Sequence, residues 1–508
     1  YNEWDNFYGQ AIMKLDGEYL IYGEKSNQIV GAGLAGDKVR QALVGRFNYD
    51  YKGRYMLDFS FRYDGSSSFP KNSRWGFFPA VSAGWRVSEE AFMKEWVPFL
   101  SNLKIRASYG EMGDDGSANT YPQTAVAYEL NPSKLGYVYN GVLISGVSAT
   151  SIPNPDLTWY TAKTYNLGVD FDLWNQKLSG TFEVFKRKRD GLLATSSAQI
   201  PGIVGASLPQ ENKESDETFG WEISLGHRNR VAGVTYWVNG QISATKNRWD
   251  YHSDSQASNS MDNWYRRDVS GRNKDIWFTY EEGGRFGSYD DIRYHGTTGA
   301  NYGQGTLPGD YYYKDWNGDG IIDENDQHDV GNPFPDFTFG LRLGGEWKGF
   351  DFGLFFDGMT GNKIYNYQRY CLESGKFNGN YSTKLANSWR PDNQNTDIPR
   401  FSKTDGTDNG LAYTDRWLED GSYFRLKTLD IGYSLPKNLL KKVKLENVRI
   451  YTSMENLFTL SKYSGYSPDL GESGSVDIGA SYSVFSRGID QGRYPLPRTI
   501  SFGIQVSL

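Results

Sequence analysis

The residues with the clearest chemical spacing lie in the run Asp315-Trp316-Asn317-Gly318-Asp319-Gly320-Ile321-Ile322-Asp323-Glu324-Asn325-Asp326. Asp315, Asn317, Asp319, Asp323 and Asp326 fall at positions 1, 3, 5, 9 and 12 of a calcium loop, and Gly320 at position 6, where the sharp turn needs glycine. Ile321 would add its backbone carbonyl, and Ile322 would anchor the loop on apolar neighbours. This reading expects a structural Ca2+ that stiffens a long loop. The departure is at position 12, where Asp326 replaces the usual Glu, and the competing reading is an Asx-rich turn solvated without metal.

Rings crowd the same stretch: Trp249, Trp264, Tyr265, Trp277, Tyr280, Tyr311, Tyr312, Tyr313 and Trp316, interleaved with Asp, Asn and Arg. Flat apolar faces beside polar rims suit stacking against sugars or peptides. The candidate substrate contacts are therefore Trp249, Trp264, Tyr265, Trp277, Tyr311, Tyr313 and Trp316. For any single ring the alternative is packing within the loop or seating a partner. Paired carboxylates at Glu281-Glu282 and Asp290-Asp291 have the residue type of a glycosidase pair, but spacing alone gives no geometry. With no Gly-x-Ser-x-Gly elbow, phosphate cradle or zinc helix, no catalytic residue is assigned and the chain is not read as an enzyme.

Composition narrows the setting for these groups. A single cysteine, Cys371, excludes an intrachain disulfide and any cysteine metal cluster, and four histidines make a multi-histidine zinc site a poor fit. A net charge of -7 gives no basic footprint for nucleic acid. Aromatic residues make up 16% and Gly numbers 58 of 508, yet the mean hydropathy is -0.63, a mixture that favours strands and turns. No run approaches the roughly 18 apolar residues of a membrane-spanning helix, which leaves membrane-spanning strands open. The chain starts at Tyr1 with neither Met nor a signal-like segment, and is read as a fragment.

Period-two alternation dominates. Tyr55, Leu57, Phe59, Phe61 and Tyr63 share one face, with Arg54, Asp58, Ser60, Arg62 and Asp64 on the other. The pattern predicts strands near 42–51, 54–65, 74–88, 102–113, 160–174, 178–195, 218–230, 234–249, 336–347, 350–361, 422–435, 447–460 and 499–508. Short helices are expected only within Glu89 to Leu100 and Pro436 to Val443. Connections alternate in length: short ones such as Lys52-Gly53, Ala232-Gly233 and Lys348-Gly349, and long ones at 114–159, 250–335, 362–421 and 461–498. That asymmetry, with aromatic residues near strand ends, is the signature of an antiparallel transmembrane β-barrel whose long loops face outward. Residues 1–41 are expected as an extracellular loop region and 42–508 as barrel. Thirteen strands cannot close an even-numbered barrel, so earlier strands are expected before Tyr1. Arg187, Lys188, Arg189 and Asp190 are read either as facing lipopolysaccharide phosphates or as a solvated rim.

Several segments resemble SusC-like TonB-dependent outer-membrane transporters. They include Gly45-Arg46-Phe47-Asn48-Tyr49-Asp50-Tyr51-Lys52-Gly53-Arg54-Tyr55, Arg74-Trp75-Gly76-Phe77-Phe78-Pro79 and Asn154-Pro155-Asp156-Leu157-Thr158-Trp159. Further on come Trp389-Arg390-Pro391, Glu455-Asn456-Leu457-Phe458-Thr459 and Tyr494-Pro495-Leu496-Pro497-Arg498-Thr499. The resemblance implies an all-β fold, the last 13 strands of a 22-stranded barrel whose plug domain is absent from this chain. It implies import of a glycan or oligopeptide across the cell outer membrane, a SusD-like surface lipoprotein as partner, contact with outer-membrane lipid, and TonB acting through the missing N-terminal region. The rival reading is a secreted, calcium-stabilised β-rich protein that binds or cleaves polysaccharide.

Overall fold

The computed structural model describes residues 39–115, 152–195, 208–252, 270–295, 306–402, 414–440, 445–469 and 488–507, apart from positions 378 and 493, together with Asn409 and short strand segments within 2–38, 128–149 and 298–299. One antiparallel sheet of 13 strands organises it. The wall strands are β1 (Arg40–Tyr51), β2 (Tyr55–Ser66), β3 (Trp75–Arg86), β4 (Leu100–Asp114), β5 (Tyr160–Leu173), β6 (Leu178–Thr195) and β7 (Gln210–Val231). They continue as β8 (Val234–Tyr251), β9 (Phe337–Trp347), β10 (Phe350–Thr360), β11 (Tyr423–Ser434), β12 (Asn447–Ser461) and β13 (Thr499–Ser507). Each strand pairs with its neighbours in chain order, so the wall is an unbroken meander. All thirteen were expected from alternation, and most ends fall within two residues of expectation.

The exception is instructive. β7 begins at Gln210, eight residues before the expected start, and stays paired with β6 down to Gln210↔Thr195. Its extra turns are polar (Gln210 to Glu217), so no apolar period marks them. The ladder is instead held by buried inner-face groups such as Glu214 and Asp216.

Register fixes the two faces. Leu57, Ala83, Ala107, Leu167, Val184, Trp221 and Ala244 lie side by side across seven strands on the outer face. Large apolar side chains there stand open: Phe47 is 58% exposed, Leu167 51% and Phe219 52%. In water such a surface would aggregate, whereas facing lipid it is the stable arrangement. The inner face carries Arg46, Asp58, Arg106, Asp170 and Glu183, cross-linked by Arg46–Asp58 at 2.6 Å, Arg106–Asp170 at 3.1 Å and an Arg106–Glu183 contact.

The same parity divides the cationic run on β6. Arg189 points inward, its Nε donating to Asp216 at 2.8 Å, and Arg187 lies on that inner face with it. Only Lys188 and Asp190 of the four project outward, beside Lys163 and Lys186.

Turns at one end are tight. Ala232-Gly233 and Lys348-Gly349 each join two strands with both residues at positive φ (51° and 84°, 48° and 90°), the type I′ geometry that matches strand twist. The 87–99 link carries helix α1 (Ala91–Trp96), and 435–446 holds a four-residue helix, Lys437–Leu440. α1 is shorter than the expected span, with Pro98 two residues past its end, and residues 441–443 of the second expected span lie outside the described residues.

Replacing Leu167, near the middle of β5, with Arg should destabilise the membrane-inserted fold by about 2–4 kcal/mol, while Asn166→Arg on the inner face should cost far less. Denaturant titrations of the intact protein in phospholipid vesicles check this. Equal costs for the two substitutions would mean that the faces are assigned wrongly.

Candidate functional site

Three of the long connections fold into one cap at the opposite end of the wall. Lys363–Asn366 from the β10–β11 connection pairs with Leu418–Asp420 of the same connection and, in parallel, with Ile489–Asp490 from the β12–β13 connection. The β8–β9 connection joins through Trp277, whose backbone N–H donates to Gly331 O at 2.7 Å and whose Nε1 donates to Lys363 O at 3.3 Å. Trp277, Tyr365, Tyr370, Trp417 and Ile489 then close a hydrophobic core, with Trp277 and Trp417 fully buried. Burying a Trp at such a junction is worth about 3–5 kcal/mol against Ala, enough to hold three loops in one arrangement. A charged clasp adds to it: Arg400 donates twice to Asp310, at 3.0 and 3.1 Å, and Asn409 Nδ2 donates to the same carboxylate at 2.7 Å.

The candidate stacking rings divide by exposure. Trp277, Tyr311 and Tyr313 are buried, as is Tyr280. Tyr280, Tyr313 and Ile322 form a second small core, and Tyr311 OH donates to Asp397 O at 2.8 Å. Trp249 ends β8 on the inner face, with Lys274 Nζ 3.6 Å from its ring centre. These rings pack the cap. Trp316 differs: it is 51% exposed, with His328 4.3 Å from its ring centre. Trp264 and Tyr265 lie outside the described residues. Two exposed rings not picked out from the sequence, Tyr289 and Tyr294, sit on the helix Tyr289–Tyr294, whose Ser288/Asp291 capping box was a legible helix-start signal.

The acidic pairs take structural parts. Asp291 caps that helix, and Glu281 contacts Lys314 and lies 3.4 Å from His328. Glu282 is enclosed with Arg416, whose Nη1 stands 3.5 Å from Glu282 Oε1. Arg416 also donates to Tyr311 OH and lies over the Tyr311 and Trp417 rings, at 4.7 and 5.3 Å. Burial pushes the Glu282 carboxyl up to about 7; Arg416 opposes that rise and Asp415 adds to it. Burial likewise raises Asp415, and it raises the thiol of Cys371, which lies half-buried in the cap helix Tyr367–Glu373.

The Asp315–Asp326 loop is built from Asx turns. Asp315 accepts from Gly318 N at 2.6 Å and Gly320 N at 2.8 Å, Asn317 accepts from Asp319 N at 2.9 Å, and Asp319 accepts from Ile321 N at 2.7 Å. Gly318 and Gly320 take positive φ, at 75° and 79°, as the tight path demands. Asp326, fully buried, accepts from Trp316 N at 2.8 Å and Asp323 N at 2.9 Å, tying the loop's ends together. Among the described residues no three acidic, histidine or cysteine side chains converge closely enough to hold a metal ion. The donor chemistry suits calcium, but the arrangement as folded satisfies the carboxylates with backbone N–H groups, so an ion would have to draw them inward.

An apolar outer face, an ion-laddered inner face, tight turns at one end and a folded cap at the other define an outer-membrane β-barrel. The chain belongs to the family described as "TonB dependent receptor-like, beta-barrel", matched over residues 1–338. It is 32% identical to TonB-dependent receptor P3 of Formosa agariphila over 528 residues, covering 98% of this chain and 50% of that protein. It is 26% identical to TonB-dependent receptor SusC of Bacteroides thetaiotaomicron over 480 residues, covering 92% and 44%. The chain thus spans about half the length of these relatives. The structure of the RagAB peptide transporter superposes with a TM-score of 0.73 over 96% of this chain and 50% of that one, at 22% identity, which establishes the fold. Membership of this outer-membrane family removes the rival reading of a secreted protein.

Glu282 makes the cap pH-sensitive with a definite sign. Its folded pKa is raised above the ordinary 4.5, so the folded cap binds the proton more tightly than the unfolded chain. That contribution is complete below about pH 4.5 and is lost as pH rises through about 7, at a slope of at most about 1.4 kcal/mol per pH unit. Hydrogen exchange of segments 277–286 and 414–420 should therefore be slower at pH 5.5 than at pH 8 after correction for intrinsic rates, and Glu282→Gln should flatten the difference. An unchanged pH dependence in that variant would show that another group controls it.

Proposed function

We propose that this chain is the wall and surface cap of a TonB-dependent importer that carries an oligomeric nutrient, a glycan or an oligopeptide, across the outer membrane. The observation that carries the reading is the junction of a lipid-facing wall with a polar interior and a cap in which three long connections share one core. Such a cap is a rigid scaffold that can present binding groups at one mouth of a barrel. The inner wall carries Arg46, Asn48, Asp58, Lys104 and Arg106, polar groups suited to face a hydrated path. The RagAB peptide transporter among the similar structures supports the peptide class by its title, and the glycan class rests on the resemblance to SusC-like transporters. A SusD-like lipoprotein is the proposed partner over the cap. TonB would act through parts of the complete receptor beyond this chain, and no catalytic step is needed.

A native pull-down of the intact protein from detergent-solubilised outer membranes should recover a SusD-like lipoprotein, identified by mass spectrometry. Binding of oligosaccharide and peptide libraries to the recovered complex then decides the cargo class. Purification with no lipoprotein under mild detergent would count against a lidded importer.

We also propose calcium binding at Asp315, Asn317, Asp319, Ile321, Asp323 and Asp326, where it would stiffen the cap. Adding Ca2+ to chelator-treated protein should raise its thermal midpoint by a few °C, roughly 1 kcal/mol, and Asp315→Ala should abolish the response. Identical melting with Ca2+ and with chelator would leave the loop as a metal-free Asx turn array.

A further inference from the structure

The link between β3 and β4 differs from the tight turns that share its end of the wall. Where Ala232-Gly233 and Lys348-Gly349 each close a hairpin with two residues, this link runs from Val87 to Phe99 and holds helix α1. Its path is fixed by Glu90. The Glu90 carboxylate accepts from Tyr55 OH at 2.6 Å and from Trp85 Nε1 at 3.2 Å, and Arg54 Nη1 stands 3.4 Å away. Tyr55 and Trp85 are register partners across β2 and β3 on the outer, lipid-facing surface. The helix therefore starts against the outside of the wall, not over its mouth.

Nothing in the described structure covers the helix. α1 has no buried residue, and Trp96 is 77% exposed and Phe92 44%. Spaced four residues apart, the two rings share a helix face and contact each other edge-on, with centres 6.1 Å apart. The row continues along the same rim, where Phe99, 50% exposed, stacks on Trp174, 53% exposed, with Trp174 N donating to Phe99 O at 2.8 Å. Lys94, two residues before Trp96 and so on another side of the helix, bonds Glu89 at 2.7 Å. A six-residue helix without a side-chain cap gains little from its own hydrogen bonds, so contacts outside it, the Glu90 tether among them, hold it in place.

We propose that α1 is a membrane-interface anchor: it lies along the outside of the barrel with Phe92 and Trp96 in the boundary between phospholipid headgroups and acyl chains, and Lys94 toward water. The occupant is identified by continuity. The ring row extends the lipid-facing surface through Tyr55 and Trp85; Trp96 has the apolar body and polar handle that settle at that boundary, and Phe92 adds an apolar ring beside it. With short turns on the periplasmic side, as is usual for such barrels, the leaflet is the inner one. The anchor would fix the depth of the wall at the point where Tyr55 and Trp85 converge on Glu90 at the start of α1.

Spin labels introduced singly at Phe92→Cys, Lys94→Cys and Trp96→Cys, in a Cys371→Ser background of the intact protein, test this in phospholipid vesicles. Leu167→Cys serves as the lipid-facing reference. Power saturation should show oxygen-favoured accessibility at 92 and 96, several-fold above that at 94, which should favour the aqueous nickel reagent. Glu90→Ala should increase label mobility at 96 by releasing the tether, without changing the label at 167. The proposal is overturned if 92, 94 and 96 are all aqueous while 167 reports lipid. It is equally overturned if 92 and 96 are shielded from both reagents, since a second copy or a protein partner would then cover the helix.

Discussion

A backbone that crosses hydrocarbon must pair every N–H and C=O group it carries, because no water is there to do so. Within this chain the pairing is supplied by one ladder of thirteen antiparallel strands without a crossover, whose edge strands β1 and β13 are each paired on one side. Once the ladder is given, side chains have only two places to go. Those at one parity meet lipid and those at the other meet the interior, so a slip of a single residue would exchange Leu167 with Asn166 and place the Arg106–Asp170–Glu183 network in hydrocarbon. The cost of that exchange fixes the register far more firmly than any single turn does.

The ladder also moves the hydrophobic core. A soluble β-protein buries its apolar face, but this wall turns that face outward, so the tightly packed interior lies elsewhere. The largest wholly buried rings, Trp277, Trp417, Tyr313 and Tyr365, are all in the long connections. The cap is therefore the part that folds like a soluble domain, and it follows soluble rules: buried rings whose polar tips bond backbone carbonyls, as at Trp277 and Tyr311, a bidentate Arg400–Asp310 clasp, and helix caps at Ser288 and Asn366.

This division explains what the sequence disclosed. Wall strands were legible because lipid enforces strict alternation on every crossing, and the I′ turns were legible as residue-Gly pairs. The polar start of β7 was not, since beyond the apolar band alternation carries no hydrophobic signal while the ladder continues. In the cap, ring content was visible but its disposition was not. Trp277 and Trp316 look alike as residues, and only the strand pairing of Lys363–Asn366 with segments about 50 and 120 positions away decides that the first is buried and the second open. Such non-local pairings leave no periodic trace. At the Asp315–Asp326 loop Asx and Gly spacing is a local signal that offered an Asx-turn reading beside the calcium one, and the loop's hydrogen bonds follow that spacing.

The enclosed charges in the cap bear on why three loops settle on one arrangement. Replacing a buried ion pair with apolar residues often gains stability, so Arg416 and Glu282 are not explained by stability alone. Arg416 meets Tyr311 and Glu282 from the β8–β9 connection, while its own backbone carbonyl accepts from Arg369 Nη1 at 3.1 Å. A guanidinium has one geometry that satisfies all of these contacts, and a shifted loop would strand it without a partner in a dry site. Apolar rings slide against one another at little cost, whereas this group does not. The buried charge thus favours one docking of the connections among those that the same aromatic core would tolerate, at a cost in desolvation.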